Sequence, residues 1–240
     1  MRLAIIIPVS NEEETISSFC NSLNEQLIDL QIEIKVYFVL DQSSKDSTLR
    51  ILENFCKQNS FFSIHWSPQN RNVVDAYVSG YRHALNFNHD FFLEMDAGFS
   101  HDPSQLIRFI RCFSKGYDCV YGSRFIDGGK IINSNSKRLF FSKYGKYISN
   151  FLLGMKYSDS TSGFQGFSKI TLENWINYPL RSKGHFYQTE VKYLLKNHKW
   201  IEVPITYKNP SKSVTFKVIR NSIECLLYYW VNPFPKKLIV

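Results

Sequence analysis

Along roughly the first hundred residues of this 240-residue chain one event happens three times: a short apolar run ends in a polar, acid-bearing loop, and a helix-like segment follows. AIIIPV gives way to SNEEE, VYFVL to DQSSKDST, and FFLEM to DAGFSHDP. Continuous β-branched runs closed by proline or acid read as strands buried on both faces. Strands alternating with helical patterns read as βαβ units feeding a mostly parallel sheet. Right-handed crossovers then set the loops after successive strands at one edge of the sheet, where α/β proteins bind ligands. The chain is constrained first to an α/β fold, with acids gathered at one sheet edge. That edge suits a nucleotide or nucleotide sugar with a divalent cation.

The spacing predicts strands at Leu3–Val9, Ile32–Leu40, Phe62–Trp66, Asp90–Met95, Asp118–Gly122 and Trp200–Pro204. It predicts helices from Asn11 to about Leu30, from Asp46 onward, over Val73–Leu85 with Gly80 inside, and from His101-Asp-Pro to about Lys115. Later helices are expected over Lys143–Leu153, Gln188–Lys196 and Val214–Val231, with loops at 124–135, 158–167 and 208–213. No repeat, low-complexity tract or linker interrupts the chain. One domain is expected, with a nucleotide-sugar half (1–122), an acceptor half (123–213) and a C-terminal amphipathic segment (214–240).

Composition narrows the classes. Hydrophobic content of 44% with 16% aromatics excludes global disorder. The net charge of +8 suits an anionic ligand, a membrane surface or nucleic acid; no zinc-finger spacing or RNA-binding aromatic signature supports the last. Five scattered cysteines without a CxxC pair argue against a zinc site or disulfide framework. The opening apolar run is too short for a signal peptide, and nothing reaches the ~18 apolar residues of a spanning helix. A cytoplasmic protein is expected, peripheral on the inner face of the membrane. The segment VIRNSIECLLYYWVNPFPKKLIV reads either as a helix packed on the domain or as an interfacial helix.

Asp96 follows a buried strand and adjoins Ala97 and Gly98, which let a ligand approach the backbone. An Asp after a strand is commonly a turn or cap residue; here the neighbouring His101 and Asp102 favour a cation ligand, since Mg²⁺ or Mn²⁺ takes hard oxygens from carboxylates and phosphates. Asp41 and Glu12 admit ligand and capping readings alike, and Asp46 a plain helix cap. Arg124 reads as solvated or as a phosphate fork. Gln188 and Glu190 read as capping residues, and the basic 208–212 loop as a solvated face.

Taken in order, IIIPVSNEEETI, LDQSSKDST, NRNVVDAYVSGYRHAL, MDAGFSHDP, YGSRFIDGGK, SGFQGF and GHFYQTEV before IEVPITYK resemble family 2 of the inverting glycosyltransferases, with the GT-A fold. Within it they are most similar to the dolichol-phosphate mannosyltransferase-like, polyprenyl-phosphate group. The resemblance covers Leu3 to about Phe216. It implies a donor site at Pro8, Ser10, Asn11, Glu12, Asp41, Arg71, Asp75, Asp96, Ala97 and Gly98. It implies acceptor or phosphate contacts at Arg124, Ser162, Gln188, Lys208 and Lys212. Asp96, Arg124 and Lys212 are the implied catalytic set, and Asp96 the implied Mg²⁺ or Mn²⁺ ligand, with Ser100, His101 or Asp102 as further candidates. The implied partners are a GDP- or UDP-hexose, a lipid phosphate and a membrane surface, with no nucleic acid. Two positions depart from the family pattern: Gln42 and Gly98 stand where it has aspartates. A phosphate acceptor needs no general base, being largely ionised at neutral pH with a second pKa near about 6. Transfer to a sugar hydroxyl needs one, for which Asp159 and Glu190 are the candidates. A non-catalytic nucleotide-sugar-binding homologue is the third reading.

Overall fold

Alternate residues of the first two strands face opposite ways, and both sets are apolar. In the computed structural model, β1 (Arg2–Pro8) sends Leu3, Ile5 and Ile7 into one core and Ala4 and Ile6 into another. In β2 (Glu33–Leu40), Ile34, Val36, Phe38 and Leu40 join the first core, Tyr37 and Val39 the second. The structure describes residues 1–132, 136–184, 186–208 and 216–233, with backbone alone over 136–143.

The central sheet has seven strands in the order β3-β2-β1-β4-β7-β5-β8. The remaining strands are β3 (Phe62–Trp66), β4 (Phe91–Glu94), β5 (Cys119–Ser123), β7 (Gln165–Ser168) and β8 (Trp200–Pro204). All neighbouring pairs are parallel except those of β7, which runs antiparallel to β4 and β5. The helices α1 (Ile16–Ile28), α2 (Thr48–Gln58) and α4 (Leu106–Ser114) supply apolar residues to one core. α3 (Val73–Leu85), α6 (Lys169–Trp175), α7 (Tyr187–Leu194) and α8 (Phe216–Val231) supply the other. A two-stranded parallel sheet of β6 (Lys130–Ile132) and β9 (Thr206–Lys208) lies beside the main one. α5 (Ser136–Leu153) packs against α8.

Several features depart from the expected elements: α5 starts at Ser136 rather than at Lys143, and Lys208 ends β9 rather than opening a loop. The first helix starts at Ile16 rather than at Asn11. The amides of Glu12 and Glu13 bond instead to Thr48 Oγ1 (2.9 Å) and Asp46 Oδ2 (3.0 Å), which ties this stretch to the neighbouring loop. The expected 158–167 loop contains the start of β7, and the 124–135 loop contains β6. A helix at Lys169–Trp175 completes the second core.

Gly80 fixes how closely α3 lies on the sheet. A methyl there would fall 2.5 Å from Ile6 Cγ2 and 2.7 Å from Val39 Cγ2. The missing side chain lets the helix approach β1 and β2, at a helix-propensity cost of roughly 1 kcal/mol. Tyr77, one turn earlier, is carried by that approach to the carboxyl end of β4.

Candidate active site

The loops after β1, β2 and β4 meet at one edge of the sheet. Asn11, held at φ 55°, donates through Nδ2 to the Ser43 carbonyl (2.8 Å) and accepts from the Lys45 amide (2.9 Å). Ser10 and Ser43 hydroxyls share a bond of 2.7 Å. Glu13 accepts from the Ser47 amide (2.9 Å), while Asp46 accepts from the amides of Glu13 and Thr48 (both 3.0 Å). Asp46, one residue before the N-cap Ser47, thus clasps the β1 loop to the start of α2. Asp41 Oδ1 accepts from the Ser43 amide (2.7 Å), closing a turn at the end of β2.

Asp96 lies two residues past the end of β4. Its Oδ1 accepts from the Tyr77 hydroxyl (2.7 Å), and its side chain stays 38% exposed, which leaves Oδ2 available to a ligand. The Asp96 amide donates to His101 Nδ1 (2.9 Å). His101 is fully buried, stacked on Phe164 at 4.7 Å, and burial holds its pKa below the ordinary histidine value. A neutral ring that accepts at Nδ1 carries its proton on Nε2. That nitrogen lies 3.8 Å from Asp96 Oδ2 and has no hydrogen-bond partner. His101 thus presents a donor beside the Asp96 carboxylate. The Asp102 carboxylate accepts from the Ser104 amide (3.1 Å) and hydroxyl (2.7 Å) and from Lys208 Nζ (3.0 Å). Ser100 contributes its carbonyl to the Lys208 amide (3.0 Å).

Behind Asp96 lies Glu94, fully buried, accepting from the hydroxyls of Tyr187 (3.0 Å) and Tyr81 (3.2 Å). Burial pushes its pKa up to about 8, so this acid is neutral at pH 7. Tyr187 stacks on Tyr77 at 5.7 Å, which links the two acids through packed rings. Neither Tyr77 nor Glu94 is distinguishable in the sequence from an ordinary core residue of its helix or strand.

A divalent cation fits this edge only in part. Among the described residues no three His, Cys, Asp or Glu side chains gather closely enough to hold a metal. Mg²⁺ and Mn²⁺ commonly take one or two carboxylates plus substrate phosphates and water, which Asp96 Oδ2 permits. Gly98, at φ +70°, has its would-be Cβ 3.1 Å from Glu12 Oε2, so the first and third loops touch here. Arg71 and Asp75 sit at the entry to α3. Arg71 is 86% exposed, and Asp75 accepts its amide (3.0 Å).

The acceptor-side residues divide. Lys208 ends β9 beside residues 100–102, within reach of the acid loop. Lys212 lies outside the described residues. The Arg124 guanidinium is buried and forks onto Asp159, through Nε (2.6 Å) and Nη2 (2.7 Å), with Thr161 Oγ1 at 2.6 Å. Burial works to raise the Asp159 pKa, but the adjacent Arg124 charge outweighs it and holds the carboxyl below its usual value. Ser162 and Gln188 are buried, and the Ser162 hydroxyl and Gln188 Oε1 lack hydrogen-bond partners. Neither candidate base faces solvent. Asp159 is fully buried against Arg124, and buried Glu190 accepts from the Arg181 and Ser182 amides (2.7 and 2.9 Å) and from the Tyr229 hydroxyl. A separate open cavity of about 590 Å³, lined by Arg2, Lys35, Tyr37, His83 and His89 among others, includes none of the expected site residues.

The chain is similar along most of its length to known proteins. The family model for Glycosyl transferase family 2 matches residues 4–175. An undecaprenyl-phosphate mannosyltransferase of Micrococcus luteus is 28% identical over 86% of this chain and 84% of its own. A polyprenol monophosphomannose synthase of Mycolicibacterium smegmatis is 28% identical over 86% of this chain and 77% of its own. The dolichol-phosphate mannosyltransferase of Pyrococcus furiosus is 27% identical over 86% of this chain but only 56% of its own. Among solved structures, glucosyl-3-phosphoglycerate synthase of Mycobacterium tuberculosis with Mn²⁺, UDP-glucose and phosphoglyceric acid superposes with a TM-score of 0.69 at 12% identity, covering 98% of this chain and 81% of that one. The same enzyme with UDP gives 0.68 at 15% identity, over 98% and 82%. The parallel sheet with its antiparallel insertion and the acid loops at one edge are thus those of a known fold, and the chain belongs to glycosyl transferase family 2, a glycosyltransferase of GT-A architecture.

Proposed function

We propose that this protein moves a hexose from a nucleoside diphosphate sugar to a polyprenyl phosphate, with inversion at the anomeric carbon. Mannose is the sugar in the names of the relatives described above. The observation that carries the reading is Asp96: one carboxylate oxygen is fixed by Tyr77, and the other is open where three strand-end loops converge. Residues 1–122 form the donor half and 123–213 the acceptor half. Pro8, Ser10, Asn11, Glu12, Asp41, Arg71, Asp75, Ala97 and Gly98 line the donor side around Asp96.

In inverting transfer the acceptor attacks the face opposite the departing diphosphate, through an oxocarbenium-like state. Asp96 would hold Mg²⁺ or Mn²⁺, which when bound neutralises charge on the leaving diphosphate. Lys208, placed beside residues 100–102, adds positive charge on the acceptor side. Arg124 serves as a positioning residue, fixing the 159–161 segment through Asp159 and Thr161. An ionised phosphate needs no base, and the enclosure of Asp159 and Glu190 favours that acceptor over a sugar hydroxyl.

A thermal-shift titration tests the donor half. GDP-mannose or a UDP-hexose with Mn²⁺, at about 100 times its Kd, stabilises the native state by about 2.7 kcal/mol, a rise of about 5–11 °C in Tm. A flat response to both nucleotide classes contradicts the donor site.

The lipid acceptor implies contact with a membrane surface. No helix of the described residues is long and apolar enough to cross one. α8 buries Cys225 and Tyr229 against the domain and exposes Ile223, Leu227, Trp230 and Val231. α5, packed against it, exposes Tyr147, Ile148 and Phe151. Lys146, Lys217 and Arg220 sit among these groups, a pairing of apolar and basic side chains that suits an anionic lipid interface. The protein is expected to float with anionic liposomes, and Phe151→Ser with Trp230→Ser to remain in the pellet fraction. Undiminished flotation of the double variant contradicts this face as the contact.

A further inference from the structure

We propose that Glu12 supplies the carboxylate that Gly98 does not, so that the cation of a bound nucleoside diphosphate is gripped between two loops, by Asp96 after β4 and Glu12 after β1. This rests on the donor-site reading above and adds a residue to it. A side chain grown on Gly98 would run into Glu12, whose Oε2 lies 3.1 Å from the Cβ position and whose Cδ and Oε1 lie 3.6 Å away. The space where an acid of the β4 loop would begin is therefore bordered by the acid of the β1 loop. Glu12 is held there. Its Oε2 accepts from Thr15 Oγ1 (2.8 Å), and its amide donates to Thr48 Oγ1 (2.9 Å).

A second, independent observation points to a ligand beside Asp96, two residues from Gly98. His101 is fully buried, yet its Nε2 has no partner and faces Asp96 Oδ2 at 3.8 Å. A buried N–H without an acceptor is costly, and an incoming anionic oxygen relieves it. The nearby alternatives to Glu12 are engaged: Asp102 holds Ser104 and Lys208, and His101 accepts from the Asp96 amide. Since no three such side chains gather on a metal among the described residues, the diphosphate oxygens must complete the shell. Gly98 is then compatible with a cation site because the carboxylate has moved to another loop.

The test measures Mn²⁺ binding by the electron paramagnetic resonance signal of the free ion, with UDP and separately with GDP, on the full chain. Glu12→Gln keeps an oxygen for Thr15 and leaves the backbone bonds intact, so it folds as the parent does. It is expected to weaken Mn²⁺ binding at least about tenfold. Gly98→Asp alone is expected to give no gain, since its carboxylate crowds Glu12. Glu12→Ala with Gly98→Asp moves the acid to the β4 loop, where aspartate tolerates a positive φ, and is expected to recover most of the loss. Parental affinity in Glu12→Gln, tighter binding in Gly98→Asp, or no recovery in the double variant overturns the proposal while the donor site stands. Absence of nucleotide-dependent Mn²⁺ binding in the parent overturns both.

Discussion

Asp159→Ala will lower the melting temperature by about 6–20 °C, the largest stability loss expected from any polar substitution in the protein. The carboxylate is fully buried and takes two bonds from the Arg124 guanidinium, a third from the Arg124 amide (3.0 Å), and further ones from Thr161. Lys192, also fully buried, donates to the Asp159 and Ser162 carbonyls (both 2.9 Å), and burial brings its pKa down to about 8. Removing the anion leaves the guanidinium buried with no counter-charge and the lysine without its nearest one. Breaking such a buried pair costs about 3–5 kcal/mol. The sign of the pH dependence follows from the depressed Asp159 pKa. Its stabilisation is present above the ordinary value of 3.8 and lost as pH falls through the folded-state pKa. Thermal melts of parent and variant should thus differ widely at pH 7 and by progressively less as pH falls below 3.8. A difference under about 2 °C at pH 7 contradicts the role given to this pair.

Asp96→Asn is expected to reduce sugar transfer by on the order of 10²–10³-fold while leaving the melting temperature nearly unchanged. The amide oxygen still accepts from the Tyr77 hydroxyl, and the side chain is partly exposed, so packing is preserved. What disappears is the negative charge at the meeting point of the three loops. A cation anchored there loses its protein carboxylate on β4, and charge on the departing diphosphate is left less compensated. Steady-state kinetics with saturating Mn²⁺ and labelled donor, paired with a melt of the same preparation, separates loss of chemistry from loss of fold. A variant that keeps more than half of the parental turnover contradicts the assignment.

Residues that act through their neighbours in sequence were legible, and those that act across the fold were not. The runs AIIIP and VYFVL declare buried parallel strands because both faces of each are apolar, and the acids that follow mark the ligand edge. β7 escaped because Gln165 and Gly166 carry no strand signal. Gly166 is needed where a methyl would meet Leu93 Cδ1 and Phe113 Cζ at 2.8 Å, a contact between distant segments. The pairing of Arg124 with Asp159 is not legible, because the two lie 35 residues apart with no local pattern linking them. A separation of 19 residues hides the part played by Tyr77, whose hydroxyl meets Asp96 only because Gly80 lets α3 settle on the sheet. Glu190, considered as a base, instead clasps Tyr229 of α8 to the segment at Arg181 and Ser182.

Incubation of the purified protein with Mn²⁺, polyprenyl phosphate and a hexose-labelled GDP or UDP sugar tests the central claim most directly. Label is expected to enter the organic phase as a polyprenyl phosphate hexose of anomeric configuration opposite to the donor, and to stay in the aqueous phase with Asp96→Asn. A lipid product of retained configuration, or no lipid product from a preparation that binds the donor, contradicts it.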